Sequence, residues 1–165
     1  MGAGKTAVGR HLAKSLGLEF KDSDAEIEAS TGVDIGFIFE KEGEAGFRRR
    51  ESTAIDALTQ RDRVVLATGG GAILAKENRR RLASRGYVVY LHTSVDQQAE
   101  RTARGRARPL LNSGDPRETL AELLAEREPL YRELASFVVS TDGRSVTAVA
   151  REIQKHLQDE FSLSP

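Results

Sequence analysis

The residues that open the chain, MGAGKT at positions 1–6, are the first that could do chemistry. The triplet Gly-Lys-Thr leads directly into residues 7–16, whose apolar spacing predicts a helix. Glycines let backbone N–H groups close around phosphate oxygens, and the start of a helix favours an anion. Lys5 would then reach the terminal phosphates, and Thr6 would hold Mg²⁺. The sequence predicts the second half of a phosphate-binding loop here; the alternative is an ordinary glycine-rich segment before a helix.

Two carboxylates, Asp22 and Asp24, follow residues 18–21, which are interpreted as a short strand. Carboxylates at the end of a parallel strand lie on the ligand-binding edge of an α/β sheet. Residues two apart in an extended segment face the same side, so one could hold a magnesium-bound water while the other orients a hydroxyl group. The alternative is helix capping, with Ser23 or Asp24 as the N-cap of a predicted helix at 24–31.

Two arginines are candidates to bind the carboxylate of an acceptor, because arginine presents paired N–H donors in a fork. Arg48 and Glu51 lie three residues apart on a predicted helix at 44–61, where Glu51 could hold the guanidinium. Arg127 lies two residues before Pro129, which should kink or interrupt its helix. The alternative for both arginines is a solvated, charged helix face.

Three consecutive glycines, Gly69, Gly70 and Gly71, follow a β-branched run at 63–67 that predicts a buried parallel strand. Such glycines let the backbone approach a ligand closely, at a cost in conformational entropy that favours a functional reason for them. The alternative is a flexible turn between a strand and a helix.

A second candidate loop is rich in arginine, with four arginines at positions 101–108. The segment at 104–116 also contains glycine, proline and asparagine. It fits a basic lid that closes over a phosphate and excludes water. The alternative is a basic surface loop.

The elements that must position these residues alternate between helix and strand, which predicts an α/β fold with a parallel sheet. One domain is expected over residues 1–165. Asp34 is predicted to cap a further helix. The other predicted helices lie at 76–85, 95–103, 117–135 and 145–158, and the other strands at 86–91 and 137–140.

Composition narrows the possible functions. The chain has 25 basic and 25 acidic residues, and this balance argues against a nucleic-acid or membrane-surface binder. It has no cysteine, which excludes disulfides, zinc–thiolate sites and cysteine nucleophiles, and its three histidines lie far apart. Neither a signal peptide nor a run of about 20 apolar residues is found, so we expect a cytoplasmic protein.

Six motifs in order give this chain a specific resemblance. They are GAGKT at 2–6, D-x-D at 22–24, F-R-x-x-E at 47–51, GGG at 69–71, R-P-L-L at 108–111 and R-x-P-L-Y at 127–131. The set resembles the shikimate kinase family over nearly the whole chain. The resemblance implies a P-loop kinase fold, a three-layer α/β/α arrangement with five parallel strands in the order 2-3-1-4-5, and a mobile lid. It also implies transfer of the γ-phosphoryl group of ATP to the 3-hydroxyl of shikimate, with Mg²⁺, on the route to chorismate and the aromatic amino acids.

The resemblance further implies roles for the residues at matching positions. The nucleotide would be bound by Gly2, Ala3, Gly4, Lys5, Thr6, Ala7 and Arg108, with Arg101 and Arg144 near adenine. Thr6 and, through water, Asp22 would hold the metal. The acceptor would contact Asp24, Arg48, Glu51, Gly69, Gly70, Gly71 and Arg127. Lys5, Asp24 and the lid residue Arg108 would be the catalytic residues, with Asp24 as the base.

The chain departs from the family pattern at its start. The first glycine of the complete phosphate-binding motif, and the strand before it, would lie upstream of Met1. A gap is therefore expected between the strands at 63–67 and 86–91. Residues 1–165 alone are expected to be poorly stable, and about ten further residues supplying an apolar strand should restore folding and ATP binding.

Two other functions compete with shikimate phosphorylation. One is a kinase for a different small polyol acid, such as gluconate, although the arginine pair and the glycine triplet favour shikimate. The other is a non-catalytic module that senses a ligand on the same fold. A monomer is expected in each case, with shikimate and ATP as the partners of the favoured one.

Overall fold

The computed structural model of the protein describes residues 2–103 and 115–161. Its helices are α1 (Lys5–Leu16), α2 (Ser23–Thr31), α3 (Ile35–Leu58), α4 (Lys76–Arg85), α5 (Val95–Ala103), α6 (Pro116–Leu134) and α7 (Val146–Phe161). Its strands are β1 (Glu19–Asp22), β2 (Val64–Ala67), β3 (Val89–His92) and β4 (Phe137–Ser140). A short 3₁₀ helix, Ala72–Leu74, follows the glycine triplet. The predicted alternation of helices and strands is confirmed.

The described strands form two parallel pairs. β1 pairs with β2, with Asp22 opposite Ala67, and β3 pairs with β4, with His92 opposite Ser140. Within the described part of the chain, no ladder joins β2 to β3. A cleft of about 410 Å³ is lined by these two strands and by apolar side chains of α1 and α7. The gap expected between the second and third strands is confirmed.

Two apolar clusters hold the elements together. The larger joins α1, β4 and α7 through Val8, Leu12, Val139, Val149, Ala150 and Ile153. The smaller joins α2 to α3 through Ile27, Ile38 and Phe47. Burying each large apolar side chain contributes roughly 1.5–3 kcal/mol. The clusters therefore fix the strand ends and helix starts that carry the candidate site.

The long helix α3 differs from the sequence prediction. Asp34 caps it as predicted, its Oδ1 accepting a 2.7 Å bond from the backbone N–H of Phe37. The predicted helix at 44–61 is the second part of α3, which breaks at Gly43 (φ 68°, ψ −177°) and ends at Leu58. The predicted end was three residues too far along, because the chain turns at 59–63 to enter β2.

Helix α6 runs from Pro116 to Leu134 without interruption, so of the kink or interruption predicted at Pro129, the interruption is wrong. Proline removes one backbone hydrogen-bond donor, but the other turns of this 19-residue helix keep their hydrogen bonds and the helix continues past Pro129. Asp115, its N-cap, and Pro116 are the last residues of the predicted lid segment. The rest of that segment, 104–114, lies outside the described residues. None of the described helices is long and apolar enough to span a bilayer.

Candidate active site

The start of α1 has the geometry of an anion site. Gly2 (φ 70°) and Gly4 (φ 80°) adopt left-handed conformations that glycine tolerates best. They turn the chain into α1, whose first residue is Lys5 and whose first turn contains no acidic residue and no side-chain cap. The N–H groups of a first turn lack helical acceptors, so they are donors for a ligand. A cavity of about 390 Å³ beside Ala3 and Gly4 extends to Val149.

Arg101 of α5 connects the loop before α1 to the residue that follows β4. Its Nη1 donates to Gly2 O at 3.1 Å and to Thr141 Oγ1 at 3.0 Å, and its Nη2 donates to Thr141 O at 3.0 Å. Arg144 donates to Ser140 O at 3.1 Å and pairs with Glu152 at 2.5 Å. Both arginines line the 390 Å³ cavity, which places the two residues predicted near adenine beside the loop. The clamp that Arg101 forms on Gly2 was not visible in the sequence.

Thr6 and Asp22 meet where α1 begins and β1 ends. The Thr6 hydroxyl donates to Asp22 Oδ2 at 2.9 Å. The other oxygen of Asp22 accepts from the backbone N–H groups of Asp24 at 3.0 Å and Ala25 at 3.4 Å. Asp22 is therefore the N-cap of α2, and the alternative that assigned this cap to Ser23 or Asp24 is wrong.

The Thr6–Asp22 pair suits Mg²⁺. This ion prefers oxygen ligands and usually takes only one or two from the protein, the rest coming from water and phosphate. A hydroxyl and a carboxylate oxygen that lie together beside a phosphate loop fit that requirement. Among the described residues, no group of three or more acidic or histidine side chains is placed to hold a metal ion, so the ion would depend on phosphate and water for its other ligands.

The glycine triplet forms the wall on which the acceptor residues converge. An added Cβ at Gly69 would lie 2.8 Å from Glu51 Oε1 and 3.1 Å from Asp24 Oδ1. At Gly71 it would lie 2.3–2.5 Å from the guanidinium of Arg48. These distances are shorter than van der Waals contacts, so close approach of side chains is what requires glycine at both positions.

At the middle glycine, Gly70, an added Cβ would lie 3.2 Å from Tyr131 Oη and 3.9 Å from Arg127 Nη1. The three successive glycines thus lie beside four residues that the sequence predicted for the acceptor, namely Asp24, Glu51, Arg127 and Arg48. The fold brings together side chains from α2, α3 and α6 that lie up to 103 positions apart along the chain, from Asp24 to Arg127.

Not every backbone group of the triplet faces the acceptor site. The N–H of Gly69 donates to the hydroxyl of Ser23 at 3.2 Å, and Ser23 is fully buried. The carbonyl of Gly69 accepts from Ala72, and that of Gly71 accepts from Leu74. Ser23 therefore ties the triplet to α2, a role that the sequence did not reveal.

Glu51 is the most deeply buried of the charged residues predicted for the acceptor. Its Oε2 accepts from Arg48 Nη1 at 2.7 Å, and its side chain is 1% exposed. Its Oε1 has no hydrogen-bond partner among the described residues. Burial raises the pKa of the Glu51 carboxyl, and the charge of Asp24 adds to this rise, whereas Arg48 and Arg127 oppose it. The arginines therefore hold a buried carboxylate that would otherwise favour its neutral form.

Arg127 reaches the same site from α6. It is 6% exposed, and its Nε has no hydrogen-bond partner among the described residues. A buried guanidinium donor without an acceptor is costly, so its place beside the glycine triplet suits an anionic ligand. Arg127 is thus buried beside the glycine triplet and is not part of the exposed face given as its alternative.

Tyr131 is a site residue that sequence reasoning missed. Its hydroxyl donates to Gly70 O at 2.5 Å and bonds with Arg127 one helical turn earlier. Burial raises the pKa of Tyr131, so the hydroxyl stays protonated and remains a donor. Its ring stacks on Tyr90 of β3, with centroids 4.9 Å apart. The only signal in the sequence was its place at the end of the R-x-P-L-Y motif.

The predicted residues thus form two neighbouring groups. The nucleotide and metal group comprises Gly2, Ala3, Gly4, Lys5, Thr6, Ala7, Asp22, Arg101 and Arg144, and the acceptor group comprises Asp24, Arg48, Glu51, Gly69, Gly70, Gly71 and Arg127. The turn from β1 into α2 carries Asp22 of the first group and Asp24 of the second. Arg108 lies outside the described residues.

Comparison with known proteins gives one consistent family. The family model described as shikimate kinase matches residues 1–158. The shikimate kinase of Halorhodospira halophila is 59% identical over 162 residues, covering 98% of this chain and 92% of that protein. The shikimate kinase of Vibrio parahaemolyticus is 52% identical over 159 residues, covering 96% of this chain and 92% of that one.

Solved structures agree with the sequence relatives. Shikimate kinase from Acinetobacter baumannii in complex with shikimate superposes with a TM-score of 0.94 at 51% identity, covering 97% of this chain and 89% of that one. Shikimate kinase from Bacteroides thetaiotaomicron gives a TM-score of 0.87 at 29% identity, covering 99% of this chain and 94% of that one.

Proposed function

The chain belongs to the shikimate kinase family, and from this premise we propose that it transfers the γ-phosphoryl group of ATP to the 3-hydroxyl of shikimate. Its fold is the P-loop α/β fold of that family. The reaction needs positioning of two substrates and neutralisation of phosphate charge, more than covalent help from the protein. The acceptor group and the nucleotide group would each perform one of these tasks.

The acceptor group would bind the carboxylate of shikimate through Arg48 and Arg127. The observation that carries this proposal is the convergence of both guanidinium groups on the glycine triplet, with the donor Nε of the buried Arg127 lacking an acceptor among the described residues. Glu51 would hold Arg48 in place, as its 2.7 Å ion pair indicates. Backbone N–H groups of Gly70 and Gly71 can assist, whereas that of Gly69 already donates to Ser23.

The nucleotide group would hold the phosphates of ATP at the start of α1. Backbone N–H groups of the first turn and the ammonium of Lys5 would contact phosphate oxygens. Thr6 and Asp22 would hold Mg²⁺, Asp22 through water, and when bound this ion supplies charge neutralisation between the phosphates. Ala3, Gly4, Arg101 and Arg144 line the adjoining cavity, which is large enough for a planar base.

Asp24 would position the hydroxyl that attacks the phosphorus atom and accept its proton. It lies in the first turn of α2, with its Oδ1 beside Gly69 and close to Glu51. A carboxylate within hydrogen-bonding distance of the acceptor can act as a general base. Its position between the two groups supports this role.

The proposal is tested by measuring ATP consumption in the presence of Mg²⁺ with shikimate, with gluconate and without an acceptor. We expect ADP to form when shikimate is present, and not with gluconate or without an acceptor. Activity with gluconate but not shikimate would assign a different polyol acid. Shikimate binding without ADP formation would indicate a ligand-sensing module. We also infer that the protein is a cytoplasmic monomer, because its substrates are small soluble anions and the predicted site residues lie in one small domain.

A further inference from the structure

Glu44 already binds the arginine that the proposed acceptor needs. Its Oε1 accepts from Arg48 Nη2 at 3.0 Å and from Arg48 Nε at 3.2 Å. Glu51 accepts from the remaining nitrogen, Nη1, at 2.7 Å. All three nitrogens of this guanidinium therefore donate to carboxylates of the protein itself.

The two carboxylates differ in how firmly they are held. The side chain of Glu51 is 1% exposed, whereas that of Glu44 is 50% exposed. Glu44 is also the first residue after the break in α3, where Gly43 has a φ of 68°. An exposed ion pair is weak and its side chains rotate at little cost. Glu44 can leave Arg48 without disturbing the core, and Glu51 cannot.

An incoming carboxylate meets Glu44 at whichever edge of the guanidinium it uses. A fork of two parallel hydrogen bonds needs either Nε with Nη2 or Nη1 with Nη2. Glu44 occupies the Nε–Nη2 edge, so a ligand at that edge must displace it. Nη2 carries a second hydrogen, so a ligand at the Nη1–Nη2 edge shares Nη2 with Glu44 and lies beside its charge. The ligand must displace Glu44 or bind beside its negative charge, and like charges at this separation repel.

We propose that Glu44 is an internal competitor that sets the affinity for the acceptor, by placing its own carboxylate on Arg48 until the carboxylate of the substrate replaces it. This inference rests on the proposed function, since it assumes that Arg48 binds an acceptor carboxylate. It assigns Glu44 a negative contribution to acceptor binding, opposite in sign to that of Glu51. Glu44 acts through Arg48 and is an affinity-setting residue, not a catalytic one.

The test is titration calorimetry of shikimate into the wild-type chain and into Glu44→Gln and Glu44→Ala. Both variants are expected to bind shikimate about two- to fivefold more tightly, because shikimate no longer has to break an exposed ion pair and such pairs change an equilibrium by about this factor. The KM for shikimate should fall by the same factor while kcat and the affinity for ATP stay unchanged. The gain should shrink between 0.1 and 0.5 M KCl, because salt screens the competing charge. A change in packing alone would not respond to salt in this way.

Glu42→Gln is the matched control. Glu42 forms a similar ion pair with Arg50, at 2.6 Å, two residues before Glu44 and away from Arg48. Glu42→Gln removes one negative charge, as Glu44→Gln does, but it should leave the affinity for shikimate unchanged. Weaker or unaltered shikimate binding in both Glu44 variants would overturn the inference and leave the proposed function standing. A wild-type chain that binds MgATP but neither binds nor phosphorylates shikimate would overturn the proposed function as well.

Discussion

Replacing Gly71 with alanine tests whether Arg48 must lie flat on the glycine triplet. The backbone permits the change, because Gly71 has a φ of −88° and a ψ of 0°. The added Cβ would stand 2.3 Å from Nη2 and 2.5 Å from Cζ of Arg48. An ordinary contact begins near 3.4 Å, so the guanidinium must move by about 1 Å or more. Since it is the end of a flexible side chain, we expect a loss of binding without a loss of folding.

The size of the effect follows from the contact that is lost. A displaced guanidinium no longer makes its charge-assisted hydrogen bond to the acceptor carboxylate, which contributes about 1.5–3 kcal/mol. At about 1.4 kcal/mol for each factor of ten, the KM for shikimate should rise about 10- to 100-fold. The KM for ATP should stay within about twofold, because the phosphate loop lies on a different element.

Steady-state kinetics with shikimate and ATP varied in turn would measure both effects, together with a thermal melt. Gly86→Ala is the control, because its added Cβ would meet only Leu82 O at 3.6 Å, an ordinary contact. It should leave the kinetics unchanged. A Gly71→Ala chain that folds normally and keeps the wild-type KM for shikimate would refute the position assigned to Arg48.

Three further predictions concern other residues of the site and the core. Arg127→Ala should weaken shikimate binding about 10- to 100-fold and leave ATP binding unaltered, and calorimetry showing equal losses for both ligands would contradict its assignment. Asp24→Asn should lower kcat at least about 100-fold with little change in ATP affinity, and near-normal turnover would return this residue to a structural role at the start of α2. Burial raises the pKa of Tyr90 to about 12 and also raises those of Tyr87 and Tyr131. The folded chain therefore keeps protons that the unfolded chain releases near pH 10, so the free energy of unfolding should fall as pH rises from about 10 towards 12. Tyrosinate absorbance that rises over the same pH range in the folded and the unfolded protein would contradict this.

Local signals in the sequence predicted most of the fold. Gly17 and Gly32 end α1 and α2 in left-handed conformations, as expected for glycine after a helix. The predicted bounds of α4 and β4 agree with the structure residue by residue. The end of α3 was misjudged, because the polar and charged residues at 59–62 suit a helix surface as well as a turn, and only the position of β2 decides between them.

The parts of the candidate site that could be predicted are those whose sequence pattern seldom occurs for structural reasons alone. Consecutive glycines after a strand and a Gly-Lys-Thr triplet before a helix are restrictive patterns, and the structure places both at strand or helix ends. Ser23, Tyr131 and Glu44 were not predictable as site residues. Their roles depend on contacts with residues 4 to 61 positions away along the chain, and their residue types are common on helices for other reasons.

Phosphorus NMR of a mixture of the protein, MgATP and shikimate tests the central claim most directly, because it identifies the product and the transferred group together. We expect one new phosphate monoester resonance, coupled to the proton on the carbon that carries the 3-hydroxyl, in an amount equal to the ADP formed. ADP accompanied only by inorganic phosphate, or a monoester at another hydroxyl group, would contradict the account.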